Sequence, residues 1–336
     1  TSPAVWHAPG GASILASACH VVSLAPVPTD TAPLSLLWNE AVLRPEVEVQ
    51  DMVVASIQAF RDRSFVHDLV RLWLDTWSSL PPETQCVAAK VFGVVDVCAN
   101  ERCERLCDVL TSGTVEARCA AAHSLSMLPT HRVVPALRAG LHDMTTDARG
   151  DVGSWVRMAC IESLGAVECD ADTLVDMVGL LMERIDTVRV KAAQVLTQIH
   201  EPLRHAIGDP SLLRDAGYAF PHLMSLLHVP AYRSSLLRSL VRTIGSRSDV
   251  ALRVAGQALV QWAKHAPHED VQDVCVILYR HAGTHARDNR TFVPVLQTVQ
   301  LLLDWDVHLD VSVLTRFVRL ACHHAEKVHS VPRILD

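Results

Sequence analysis

The sequence predicts an all-α protein, a superhelix of antiparallel helix pairs. Three observations predict it. Apolar residues recur at helical spacing in stripe after stripe, each closed by proline or glycine. One short pattern, an arginine followed by small residues and leucine, returns along the chain. No stretch alternates apolar and polar residues for long enough to build a sheet. The composition agrees: 49% of the 336 residues are hydrophobic and only 5% are aromatic, with alanine, leucine, valine and arginine favouring helix over strand.

Residues 1–33 form an irregular lead-in with Pro3, Pro9, Pro26, Pro28 and Pro33 and the Gly10-Gly11 pair, and room for one helix at Ala12–Leu24. Residues 34–336 read as helical repeats. Val49, Val53, Ile57 and Phe60 form one stripe; Val66, Leu69, Val70, Trp73 and Trp77 form the next. Pro81-Pro82 is expected to close that pair, with Glu83 or Thr84 opening the following helix. Ala88, Val91, Phe92, Val95 and Cys98 then line one helix, and Cys103, Leu106, Cys107 and Leu110 another, closed by Gly113. Gln85, Arg118, Arg157 and Arg189 stand at equivalent positions, 33, 39 and 32 residues apart. That makes the repeats HEAT/armadillo-like, somewhat shorter than the usual length of about 40–47 residues. Tyr232-Arg233 and Leu252-Arg253 continue the pattern less regularly, and helices are expected at Val271–Tyr279, Phe292–Leu303 and Val311–Cys322.

Charge and cysteine usage narrow the function. The net charge of −7 supplies no global basic field for nucleic acid or an anionic membrane. The longest early apolar run, Ala12–Val27, is broken by His20, Ser23 and Pro26 and is too short to span a bilayer. Ten cysteines without a CxxC pair read as small reduced core residues of a cytoplasmic protein. The chain starts at Thr1, not methionine, and is expected to be a fragment or a processed chain.

The stretch Asp147-Ala148-Arg149-Gly150-Asp151-Val152-Gly153-Ser154-Trp155-Val156-Arg157 is a charged, glycine-broken loop running into a helix. Gly150 and Gly153 permit backbone angles other residues resist. Asp151 or Ser154 can cap the helix, and Trp155 is expected to anchor its first turn in the core. Segment 149–157 resembles the characteristic segment of the tubulin-folding cofactor D (tubulin-specific chaperone D) family. Further similarity lies in Glu183-Arg184-Ile185-Asp186-x-Val188-Arg189, in Ala219-Phe220-Pro221, in Leu226-Leu227-x-Val229-Pro230-x-Tyr232-Arg233 and in Val293-Pro294-Val295-Leu296. The resemblance places the family's C-terminal domain from about residue 82 or 147 to 336. It implies a cytoplasmic, cytoskeleton-associated chaperone that binds β-tubulin. Such a protein works with other tubulin-folding cofactors, notably cofactor E, and an Arf-like small GTPase. Together they assemble or dismantle the αβ dimer and stimulate GTP hydrolysis by tubulin. It implies no cofactor and no catalysis by the chain itself, in keeping with the lack of a GxxxxGK[ST] phosphate loop.

Candidate residues divide into two roles. Arg149 and Asp151 in the loop, and Arg238 and Arg242 one turn apart in the basic run Arg233–Arg253, are the partner-binding candidates. A solvated helix face is the simpler reading for any one of that run. Gly150, Gly153, Ser154, Trp155 and Arg157, with Arg118 and Arg189, are the structural candidates, the arginines forming a ladder to acids such as Asp151 or Asp186. Cys98, Cys103 and Cys107 lack zinc-pair spacing and read as core. Cys322-His323-His324 with His329 is the remaining metal or nucleophile candidate, and Asp143, Asp147 and Asp151 miss the calcium-loop pattern. No catalytic, cofactor or metal residue is assigned. The alternatives are a generic HEAT scaffold, such as a transport receptor or phosphatase scaffold, and a metal-dependent hydrolase.

Overall fold

The structure, a computed structural model, describes residues 11–24, 32–128, 132–244, 249–284, 295–300, 302 and 311–329. They are predominantly helical, with one isolated bridge in a turn and no strand among the described residues. The chain divides into two units, Thr1–Cys169 and Asp170–Asp336. Each is a stack of packed helix pairs, the arrangement of an α-solenoid.

The first unit holds α1 (Gly11–Leu24), α2 (Ala32–Ala41), α3 (Val47–Ala59), α4 (Ser64–Asp75), α5 (Pro82–Val94), α6 (Ala99–Ser112), α7 (Val115–Leu125), α8 (Val133–Gly140) and α9 (Gly153–Leu164). Local chemistry sets the boundaries. Pro82 does not end a helix but opens α5 at its first position, where its missing N–H would have no partner anyway. Thr114 caps α7 by accepting a bond from the Ala117 N–H at 3.3 Å, and Gly113 closes α6. Helices α5, α7 and α9 pack in succession as an inner row, with α6 and α8 behind them. Small residues make the row close: Ala117, Ala120, Ala121 and Ala122 are buried in α7. A side chain at Gly93 would meet the Ser124 backbone of α7 at 2.9 Å. Near the start of the unit, Trp38 donates to Ser56 at 3.0 Å and stacks with Phe65.

The second unit runs through α10 (Ala171–Gly179), α11 (Asp186–Ile199), α12 (Glu201–Ile207), α13 (Ala216–Leu223), α14 (Pro230–Ile244), α15 (Asp249–Ala263), α16 (His268–Thr284) and α17 (Val311–His329). Asp170 and Asp215 cap α10 and α13. Helix α14 is the hub, packing against α10, α15 and α16. Of the helix expected at Phe292–Leu303, residues 295–300 and 302 are described and helical; the remainder lies outside the described residues.

Each unit seals a thiol in its core. Cys160 of α9 is fully buried against Gly140, and burial pushes its pKa up. Cys275 of α16 is also fully buried, and the same cause lifts it to about 12. Two cysteines expected in the core sit at its margin: Cys107 and Cys98 are half-buried, and Cys98 adopts a left-handed backbone at the head of α6.

Candidate functional site

The loop joining α8 to α9 is built from two layers. Its outer layer is a tight turn in which Asp147 and Gly150 exchange backbone bonds of 2.9 and 3.0 Å. Gly150 takes a φ of +105° there, a conformation that favours glycine. Asp147 accepts from the Arg149 backbone at 2.7 Å and from its guanidinium at 2.9 Å. These bonds, the side-chain one first, hold the Asp147 carboxyl below the usual carboxylate range. Arg149 also reaches Glu116 of α7 at 3.3 Å and lies 5.0 Å over the Trp155 ring.

Beneath it is a clamp. Arg118 of α7 and Arg157 of α9 both converge on Asp143. Arg118 bonds its carboxylate and, at 3.0 Å, the Thr145 hydroxyl. Arg157 bonds the Asp143 carbonyl and forks onto both oxygens of Asp151, at 3.1 and 3.4 Å. Arg157 is completely buried, and the Asp143 and Asp151 side chains are each 9% exposed. Asp151 also takes the capping role, accepting from the Ser154 N–H at 3.1 Å while the Ser154 hydroxyl donates back to the Asp151 carbonyl at 2.6 Å. Gly153 sits at the bottom of the loop, donating to the Thr145 carbonyl at 2.8 Å.

Several expectations change. Trp155 is not a core anchor: it is 42% exposed, because the buried face of α9 is already filled by Val156, Arg157, Cys160, Ile161 and Leu164. Arg149, a partner-binding candidate, is held in place by two carboxylates and an indole. Gly153 has no positive φ; its smallness is needed because a Cβ would lie 2.6 Å from the Asp143 carbonyl oxygen. The arginine ladder to acids holds for Arg118 and Arg157 but not for Arg189. Its donors go to the carbonyls of Glu183, Arg184, Leu213 and Arg214 at 2.7–3.0 Å, with its guanidinium over Phe220. Asp186 supplies no bond to it. Asp186 opens α11, and the fork instead spans to the 3₁₀ turn Pro210–Arg214.

In the second unit, Arg238 and Arg242 are exposed on α14 as expected. Arg233 leaves that basic run, pairing with Asp270 of α16 at 2.5 Å in a half-buried setting. Arg247 lies outside the described residues. One buried arginine escaped the sequence reading: Arg102, 2% exposed on α6. Its place four residues before Leu106 put it on the apolar face, the signal that could have found it. No three His, Cys, Asp or Glu side chains cluster to hold a metal among the described residues, and no described helix is long and apolar enough to cross a membrane. Cys322 and His323 are exposed; the side chains of His324 and His329 lie outside the described residues.

Residues 172–333 match the family model described as tubulin folding cofactor D C terminal. The matched span falls within the second unit, beyond the loop at residues 147–157. Among solved structures, the crystal structure of an engineered protein aligns over 96% of this chain and 91% of its own at 12% identity, with a TM-score of 0.34. A similarity at that level carries no argument.

Proposed function

We propose, from the match of residues 172–333 to the tubulin folding cofactor D C-terminal family model, that the chain is a non-catalytic chaperone segment that captures β-tubulin. It acts in the cytoplasm, associated with the cytoskeleton, alongside cofactor E and an Arf-like small GTPase. It contributes to stimulated GTP hydrolysis by tubulin without turning over nucleotide itself. The match to that family model carries this reading. We propose that the family's domain begins before the matched span, at about residue 82 or 147.

Two surfaces are the contact candidates. The first is the Arg149–Trp155 platform, where a half-exposed indole beneath a cation offers apolar area and charge together. Tryptophan and arginine are the residue types that dominate protein contacts. Asp151 contributes from below by holding the loop in place. The second is the exposed pair Arg238 and Arg242, which suits an acidic partner.

A pull-down of tubulin by the purified chain tests the function, and recovery of none would return the chain to a generic HEAT scaffold. Variants locate the contact. Trp155→Ala and Arg149→Glu alter partly exposed side chains outside the buried clamp, so each is expected to cost only about 1 kcal/mol of stability. Tubulin affinity should nevertheless fall, by roughly 30-fold for Trp155→Ala if the indole is an anchor worth about 2 kcal/mol. The double reversal of Arg238 and Arg242 to Glu should slow association chiefly at low salt. Unchanged capture by all of these folded variants would exclude both surfaces.

A further inference from the structure

Where α5 turns into α6, the first unit has a cavity of about 400 Å³. Val94, Met127 and Leu128 line its apolar part; Asp96, Asn100 and Arg102 line the polar part. Arg102 is unusual here. Its side chain is 2% exposed, and burial, only partly opposed by Asp96, lowers its pKa. Nη1 donates to the Phe92 carbonyl at the end of α5. Nη2 is 3.4 Å from an oxygen of Asp96, whose side chain is fully exposed. Nε is buried and has no acceptor among the described residues.

Nε and Nη2 share one edge of the guanidinium, the edge that takes a carboxylate through two parallel bonds. At Arg102 one half of that fork is stretched and the other is empty. A carboxylate as solvated as Asp96 offers little in return for a charge held out of water. The head of α6 adds to the deficit. Cys98 gives it no side-chain cap, so its first N–H groups keep their partial positive charge.

We propose that this cavity docks a carboxylate of a partner peptide, an acidic residue beside an apolar one. The carboxylate completes the Nε and Nη2 fork of Arg102, an edge it reaches when the lining over it parts, and it replaces the 3.4 Å contact of Asp96, whose side chain already stands in solvent. The apolar neighbour packs on Val94 and on Met127, which is 61% exposed. A phosphate suits the site less well, because Arg102 is the lone cation in the lining among the described residues and a dianion calls for more donors. The proposal stands apart from the tubulin reading, since it rests on the geometry of the first unit.

Fluorescence anisotropy with the full chain tests it, using a labelled peptide of alternating leucine and glutamate and a control with glutamine for glutamate. The glutamate peptide should bind at least tenfold more tightly than the control. Asp96→Asn should tighten it further, about threefold or more, because the competing carboxylate is gone and Arg102 is untouched. Met127→Asp should weaken it at least tenfold by placing a like charge at the mouth. Arg102→Gln should abolish the preference for glutamate, provided its circular dichroism is unchanged; should it unfold, the Asp96 and Met127 variants decide alone. Equal binding of the two peptides, or unchanged or weaker binding by Asp96→Asn, would overturn the proposal. Displacement of the peptide by inorganic phosphate at far lower concentration than by acetate would overturn the choice of a carboxylate.

Discussion

Arg157→Ala is expected to destabilise the first unit by about 3–5 kcal/mol, the cost typical of removing one partner from a buried ion pair. The side chain is wholly buried and forks onto Asp151 while bonding the Asp143 carbonyl. Its loss leaves a nearly buried carboxylate facing an empty space that water does not easily reach. The damage should propagate, because Asp151 also caps α9 and Asp143 also holds Arg118. Arg157→Lys should recover only part of the loss, since an ammonium cannot form the planar fork. A thermal melt read beside Trp155→Ala gives the contrast. For a unit of this size a shift of roughly 10 °C is expected for Arg157→Ala, against only about 3 °C for the half-exposed tryptophan. Similar melting points for the two would mean that the clamp does not hold the loop.

Arg189→Met is expected to cost the second unit about 3–5 kcal/mol, by a different route. Methionine keeps most of the volume, so the effect isolates the hydrogen bonds. Four carbonyls, two before α11 and two at the end of the 3₁₀ turn Pro210–Arg214, lose their donor together. Each buried acceptor left unsatisfied costs about 1–3 kcal/mol, though part is regained by relaxation and water entry. Hydrogen exchange should show the loss first in the segment around Leu213, which the guanidinium ties to α11. Protection unchanged in that segment would assign the stability of the turn to packing alone.

The two arginine variants also show what could be read from the chain beforehand. Repeat register was legible: equivalent spacing placed Arg118, Arg157 and Arg189 on buried faces of their helices, and all three are buried. Asp151, six residues before Arg157, was legible as its partner; Asp143 for Arg118 and the Leu213 and Arg214 carbonyls for Arg189 were not, because they come from loops 24 or 25 residues away whose path depends on tertiary packing. The same spacing therefore leads to an aspartate at Arg118 and to carbonyls at Arg189. Trp155 was misread for a local reason. Tryptophan suggests burial by composition, but it shares its side of α9 with Met158 and exposed Glu162, opposite the filled face. Gly153 was recognised as indispensable, but for backbone freedom, when the constraint is the closeness of Asp143 and Thr145. Sequence shows where a glycine is, not what stands beside it.

The sealed thiols turn each unit into its own clock. Only a thiolate attacks an alkylating reagent, and burial keeps Cys160 and Cys275 both protonated and out of reach. Neither can be labelled until the helices around it part, so its labelling rate counts openings of that unit. Exposed Cys322, reacting without delay, sets the rate of the chemistry itself. Ratios of the two slow rates to the fast one would give separate opening free energies within a single chain. A partner that grips one unit would slow one clock and leave the other running at its former pace.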